Sequence, residues 1–361
     1  MKQAIRNAKV YQQHTGEFLP QTILVDGERI SGILAPDESL PECLHIDGTN
    51  MFLTPGLIDT FSQIGLKETG IRWEGNDGYE PLAESGSHLQ VIDGVYPFDK
   101  AFKDAVAFGV TTAHIASSPE SVIGAKTAVL HTHGITVDEM ALNPEFGFSF
   151  SLGDIPKRAF FEQTKTPLTR MGIAQKIRLA LQVLQHSGNH QKKPFFFRTH
   201  RADDIVTAVR IAEETKIPLV LVHATEFRFI KNIPYDKAFS VIAGPCFQPM
   251  ERGELVHLDP SLYRTLAEQN IPFTFATDHP VSSITHLQME ACLALKAGVD
   301  EQLILNGLTR DAAKLLQIDH LTGSIEEGLY ADLVLWNKHP LELTARPVQT
   351  FIKGKEVYRE E

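Results

Sequence analysis

Cysteine is scarce in this chain: three residues, Cys43, Cys246 and Cys292, far apart and odd in number. That excludes a disulfide framework and a cysteine-rich zinc cluster, and the expectation is reduced thiols in a cytoplasmic protein. Long apolar runs are missing too. None approaches the roughly 18–20 residues of a membrane span, and Met1-Lys2-Gln3-Ala4-Ile5-Arg6 has no apolar run after its charges, so no secretory signal is expected. Positive charge is in the minority, with Lys and Arg totalling 34 against 45 Asp and Glu and a net charge of −11. A phosphate backbone or anionic membrane would be repelled, so neither nucleic acid nor membrane is an expected partner. A glycine-rich phosphate fingerprint is lacking as well, which weighs against a doubly wound open sheet.

What is present is an ordinary globular composition, 43% hydrophobic and 22% charged over 361 residues. That length suits one large α/β domain with a smaller companion. The first 50 residues contain short strands: Ile23-Leu24-Val25 and Ile30-Ser31-Gly32-Ile33 flank Asp26-Gly27, a dipeptide suited to a hairpin turn. A proline-containing acidic stretch, Ala35 to Glu42, precedes His45-Ile46-Asp47-Gly48. Near the other end, Ala331 to Trp336 reads as an apolar strand and Val348 to Val357 as a hairpin. Both ends are therefore expected to build one small β-sandwich from residues 1–53 and 322–361.

The middle alternates between strand and helix patterns. Phe98 to Phe108 is predicted helical, with Phe98, Phe102 and Val106 on one face and Gly109 as the stop before Val110-Thr111-Thr112. Phe195-Phe196-Phe197 reads as a strand, and the helix after it has Asp203-Asp204 as candidate caps and Ile205, Val209 and Ala212 on its buried face. Leu219 to Val222 and Phe273 to Ala276 are further strands, and Thr285 to Leu295 a further helix. Repeated strand–helix units imply a parallel sheet, and over residues 54–321 a closed (β/α)8 TIM-like barrel is the best single solution.

In such a fold the chemistry sits at the C-terminal ends of the strands. Four polar groups fall there: Thr54-Pro55-Gly56-Leu57-Ile58-Asp59, Arg198-Thr199-His200, His223 and Thr277-Asp278-His279-Pro280. Their order resembles the amidohydrolase superfamily, in particular its imidazolonepropionase-related branch. Gly153-Asp154-Ile155-Pro156-Lys157-Arg158, Arg201-Ala202-Asp203-Asp204-Ile205, Gly323 to Gly328 and Ala331-Asp332-Leu333-Val334 extend the likeness over nearly the whole chain. The resemblance implies a hydrolase of non-peptide C–N bonds that uses one or two metals, and a homo-oligomer by analogy.

The same resemblance places Phe61 and Gln63 where the family has His-x-His, Ser149 where it has a carboxylated lysine, and Arg198 where strand five carries a ligand. Only His223 and Asp278 remain of that set. A catalytic zinc usually has three protein ligands and an open position. No cofactor is certain, and at most one zinc-like divalent metal is expected, on His223, Asp278 and His200. Three readings stay open: a hydrolase acting with one metal or none, with Asp278 and His223 catalytic; a catalytically silent relative that binds a small molecule or a protein partner; and a different, metal-free chemistry in the same pocket. Arg198, His200 and His279 are the candidate substrate-binding residues. Arg198 is expected to point into the former metal site and pair with Asp278, because a buried unpaired carboxylate is costly. His131-Thr132-His133 is expected on a surface hairpin, and Glu139 outside the pocket.

Overall fold

The computed structural model describes residues 2–36, 38, 42–81, 85–186, 193–230 and 239–360, so part of the Ala35 to Glu42 stretch lies outside the described residues. Among these, strands form three sheets. The chain ends share the largest, which has eight strands. Its order is Lys355–Arg359, Pro347–Ile352, Leu333–Trp336, Phe52–Pro55, Lys2–Tyr11, Phe18–Asp26 and Arg29–Leu34, with Leu44–Asp47 also paired to Lys2–Tyr11. The Asp26-Gly27 hairpin forms as expected, with Gly27 in the left-handed region at φ 62°. A two-sheet sandwich was expected. The pairing instead joins both ends into one sheet, because Leu333–Trp336 pairs with Phe52–Pro55 and carries the terminal hairpin onto the N-terminal strands.

The middle builds a mixed α/β body from the other two sheets. One runs Ala141–Asn143, Ala128–His131, Val110–Ile115, Leu57–Ser62; the other runs Phe273–Phe275, Ser240–Ala243, Leu219–His223, Phe195–Thr199, Phe148–Ser151, Ile123–Lys126. The five strands from Phe148–Ser151 to Phe273–Phe275 are parallel. The pairing does not close into the expected all-parallel ring, and the sequence shows why at both seams. Ile123–Lys126 and Ala128–His131 follow each other around Thr127, one pairing antiparallel with Phe148–Ser151 and the other antiparallel with Val110–Ile115. Phe273–Phe275 has only three residues, and its contact with Leu57–Ser62 continues as single bonds: Asp278 N–H to Phe61 O at 3.0 Å and Gln63 N–H to His279 O at 2.8 Å.

Strand alternation sorts the apolar residues into two cores. Phe195 and Phe197 pack outward with Ile205, Val209 and Ala212 of the helix Ala202–Thr215. Phe196 belongs to a separate group with Ile58, Phe61, Val129, Val220, Ile242 and Ala276, drawn from strands of both sheets. Burying a side chain of this size contributes roughly 1.5–3 kcal/mol. Gly56 is needed where Leu57–Ser62 meets Val110–Ile115, because a Cβ there would lie 2.0 Å from Thr111 Oγ1.

Local expectations fail where a side chain found a better partner. The first helix is Lys100–Ala107, with Asp99 as its cap; Phe98 lies before it and is exposed. Asp203 Oδ1 accepts the first-turn Asp204 N–H at 3.1 Å, while Asp204 itself does not cap Ala202–Thr215. Glu226 Oε2 accepts from Ala202 N–H at 2.8 Å, and Asp204 turns to Arg170. The helix expected from Thr285 begins as a 3-10 turn, Ile284–His286, and continues as Leu287–Lys296. His131 is not on a surface hairpin. It is buried, and its Nε2 lies 2.9 Å from Asp332 Oδ2, which ties the middle body to the terminal sheet. Glu139 is exposed, as expected.

Candidate active site

The parallel register decides which side chains share a level. Ser151, Arg198 and Val222 are aligned, as are Thr199 and His223, and Ser149 sits beside Phe196 one inward position below Arg198. Arg198 therefore shares the inward face of Phe196, and His200 follows it just beyond the strand end. Three residues here hold a left-handed backbone without being glycine: His223 at φ 69°, Ala224 at 49° and Asp278 at 48°. Such strain persists where the surroundings enforce it, and it clusters at functional sites.

Asp278 is the hub. Arg198 Nη2 donates to its Oδ1 at 3.1 Å and Gln63 Nε2 donates to the same oxygen at 3.3 Å. Gln63 is held in turn by Ser118, whose hydroxyl donates to Oε1 at 2.5 Å. The Arg198 guanidinium lies 4.6 Å from the centre of the Phe61 ring, so Phe61 supports a cation by its π face. Burial pulls the Arg198 pKa below its ordinary value, with Asp278 and then Glu120 opposing that effect. Its Nε and Nη1 are buried and have no acceptor among the described residues.

The histidines have assignable tautomers. His223 Nδ1 donates to Gly244 O at 2.8 Å, which leaves Nε2 as an acceptor 3.6 Å from Asp278 Oδ2. The His200 ring stacks on it at 4.6 Å and 4°. Arg252 Nη2 donates to His200 Nε2 at 3.3 Å, so His200 Nδ1 carries the proton and donates to Thr225 Oγ1 at 2.8 Å. Burial lowers the pKa of both rings, and for His200 the next contributions are His223 and Arg252. Neutral rings follow.

The structure thus brings Phe61, Gln63, Arg198, His200, His223 and Asp278 together, with His279 beside them, and the expected Arg198–Asp278 contact forms. Ser149 faces inward but engages other groups, Ser117 Oγ at 3.3 Å and Ala125 O at 3.5 Å. His200, His223 and Asp278, the set considered for a single metal, have two arginines donating into them. Among the described residues, no group of three or more His, Cys, Asp or Glu side chains could hold a metal ion.

Sequence reasoning missed the charged group behind His200. Arg252 Nη1 donates to Asp154 Oδ1 at 2.8 Å, and Arg170 joins Asp204 at 3.0 Å to Glu254 at 2.5 Å. Burial, and then Asp154, push the Glu254 carboxyl up to about 7. Asp154 and Asp204 lie in stretches that carried the family resemblance; Arg252 and Glu254 lie in a loop without a motif.

Comparison with known proteins gives the family and the fold. The amidohydrolase family matches residues 260–357. The amidohydrolase tasK of Hapsidospora irregularis is 22% identical over 97% of this chain, and this chain spans 42% of that protein's length. The imidazolonepropionase of Shewanella halifaxensis is 37% identical over 84 residues, which cover 22% of this chain and 20% of that protein. The crystal structure of an amidohydrolase from Thermotoga maritima superposes with a TM-score of 0.92 at 30% identity, covering 99% of this chain and all of that one. Phenylurea hydrolase B, at 15% identity and a TM-score of 0.65, shares the fold over 99% of this chain and 97% of its own. Full-length coverage at 30% identity, joined to the ordered strand-end residues, establishes that the chain belongs to the amidohydrolase family.

Proposed function

We propose that this chain is a relative of the metal-dependent hydrolases in which a buried arginine–aspartate pair stands in place of the metal centre, and that its pocket binds a small molecule. The carrying observation is the 3.1 Å contact from Arg198 Nη2 to Asp278 Oδ1, with both side chains under 8% exposed. A guanidinium on Asp278 repels a divalent cation, and Arg252 covers the acceptor nitrogen of His200. Phe61 offers no lone pair, and Ser149 cannot form the lysine carbamate of the family. The donor set does not fit a two-metal centre. The two abutting sheets correspond in this reading to the family's barrel over residues 54–321, opened at one seam by Ile123 to His131 and at the other by the short strand Phe273–Phe275, with the chain ends as a companion module. Three free cysteines fit a reducing, cytoplasmic setting.

A second reading, hydrolysis of a C–N bond without a two-metal centre, is favoured by one observation. His223 Nε2 is an open acceptor beside a strained Asp278, so the two are placed to take a proton from a nucleophile. Metal analysis of the purified protein, before and after exposure to excess zinc followed by dialysis, tests the pair reading. The pair reading expects metal far below one per chain in both samples; stoichiometric zinc would refute it.

A further inference from the structure

Glu290 is a fully buried carboxylate on the helix Leu287–Lys296, which follows Asp278 in the chain. Burying a carboxyl is costly unless its oxygens are well supplied. Its Oε1 accepts the Phe247 N–H at 2.6 Å, and its Oε2 accepts the Cys246 N–H at 2.9 Å and the Tyr263 hydroxyl at 2.6 Å. Burial pushes its pKa up, and these three donors oppose that. Two of the three belong to one turn, since Cys246 and Phe247 directly follow Gly244-Pro245 at the end of the strand Ser240–Ala243. The third belongs to the ring packed on that turn: a Cβ at Gly244 would lie 2.7 Å from Tyr263 Oη. Gly244 O is the carbonyl that accepts from His223 Nδ1 at 2.8 Å. A line of contacts therefore runs from Glu290 through the turn to the histidine beside Asp278. That histidine has a second acceptor within reach, because Asp278 Oδ2 is 3.6 Å from its Nε2. Which ring nitrogen carries the proton is set by the hydrogen bond that the ring makes. With Gly244 O held in place the proton stays on Nδ1 and Nε2 keeps its lone pair. A carbonyl free to swing away would let the proton move to Nε2, with Asp278 as its partner.

We propose that Glu290 is a positioning residue: by gripping the Cys246 and Phe247 N–H groups it holds Gly244 O on His223 Nδ1, and so keeps His223 Nε2 as the open acceptor of the site. Its hydrogen bonds go to the turn and to Tyr263, and among the described residues none goes to Arg198, His200, His223 or Asp278. After burial, the charges acting most on His223 are those of Asp278, Arg198 and Arg252, so the influence of Glu290 is carried by geometry. The inference rests on the reading of His223 Nε2 as an open acceptor beside Asp278 and adds the residue that keeps it open.

The test is heteronuclear NMR of the full-length protein with isotope-labelled histidine, at about pH 8, where a ring of lowered pKa is neutral. His223→Gln identifies the His223 signals among the 15 histidines. Couplings between the ring nitrogens and the carbon-bound ring protons report which nitrogen carries the proton, and wild type is expected to carry it on Nδ1. Glu290→Gln keeps the shape but turns one acceptor oxygen into an amide donor, so the turn loses part of its hold. The tautomer ratio should shift toward Nε2–H, and exchange of the Nδ1 proton with water should speed up, each by roughly three- to tenfold. Glu290→Asp keeps the charge but shortens the reach, and should change both readings in the same direction. Tyr263→Phe removes one bond of Glu290 and leaves both backbone N–H bonds, so it should lower the melting temperature and change neither reading. A wild-type proton on Nδ1 that neither Glu290 variant disturbs, or an equal change in Tyr263→Phe, would overturn the proposal and leave the acceptor reading of His223 standing. A wild-type proton on Nε2 would overturn both.

Discussion

Asp332 and Asp278 are both buried carboxylates that contact a nitrogen side chain from another strand, yet their surroundings differ. Asp332 accepts from His131 Nε2 at 2.9 Å, from the Lys353 N–H at 2.8 Å and from the Thr322 side chain. The pair is sealed, at 2% and 0% side-chain exposure, and its oxygens are well supplied. Asp278 has Arg198 at 3.1 Å and Gln63 at 3.3 Å on one oxygen, with His223 at 3.6 Å from the other. Around it Arg198 Nε, Arg198 Nη1 and His279 Nε2 lack partners. A polar group that serves only the fold tends to be satisfied by the fold. By that measure Asp278 is the less fully satisfied of the two carboxylates.

If that contrast is sound, the sealed pair contributes more to stability. Asp332→Ala strands His131, the Lys353 N–H and the Thr322 hydroxyl, and should cost about 3–5 kcal/mol in urea denaturation. A cost near zero would break the comparison. Its pH dependence follows from the carboxyl's position. Burial pushes the Asp332 pKa up, but His131 and its hydrogen-bond donors outweigh that and hold it below the ordinary 3.8. A depressed folded value means the contribution is present above 3.8 and lost as pH falls through the lower folded value. Wild type should therefore lose more stability in that acid window than Asp332→Asn does, as read from melting temperature against pH.

Arg198→Met should cost less, about 1–3 kcal/mol, because it exposes Asp278 to burial without a cation but also removes two unmatched donors. Asp278 keeps Gln63 in that variant. Thermal melts of the two single variants under one buffer would sharpen the ranking; a larger loss for Arg198→Met than for Asp332→Ala would reverse it.

How legible all this was in the sequence depends on what each residue answers to. The Asp26-Gly27 hairpin, the buried face of Ala202–Thr215 and the run Phe195 to Phe197 could be read, because local periodicity and turn chemistry set them. The Arg198–Asp278 contact could be read from the family's residue order together with the cost of a lone buried carboxylate. The His131–Asp332 pair could not, since 201 residues separate its members and a His-x-His spacing says nothing of what folds over it. Nor could the opened seams, because a strand's usable length depends on its neighbours, and three residues of Phe273–Phe275 do not reach. Arg252 escaped for the same reason: its partners Asp154 and His200 come from distant segments. Glu139 marks the other extreme. It is exposed and only accepts from the Ile135 N–H at 2.9 Å, so Glu139→Gln should change stability by no more than about 0.5 kcal/mol and leave ligand binding unaltered.

If Arg198 and Asp278 act as one unit where the family holds metal, the losses from removing each are not additive. A double-mutant cycle with Arg198→Met, Asp278→Asn and the combined variant, followed by urea denaturation, tests it most directly. The expected coupling is about 1.5–3 kcal/mol, with the double variant far less damaged than the sum of the single ones. Additive losses, with a coupling below roughly 0.5 kcal/mol, would contradict it.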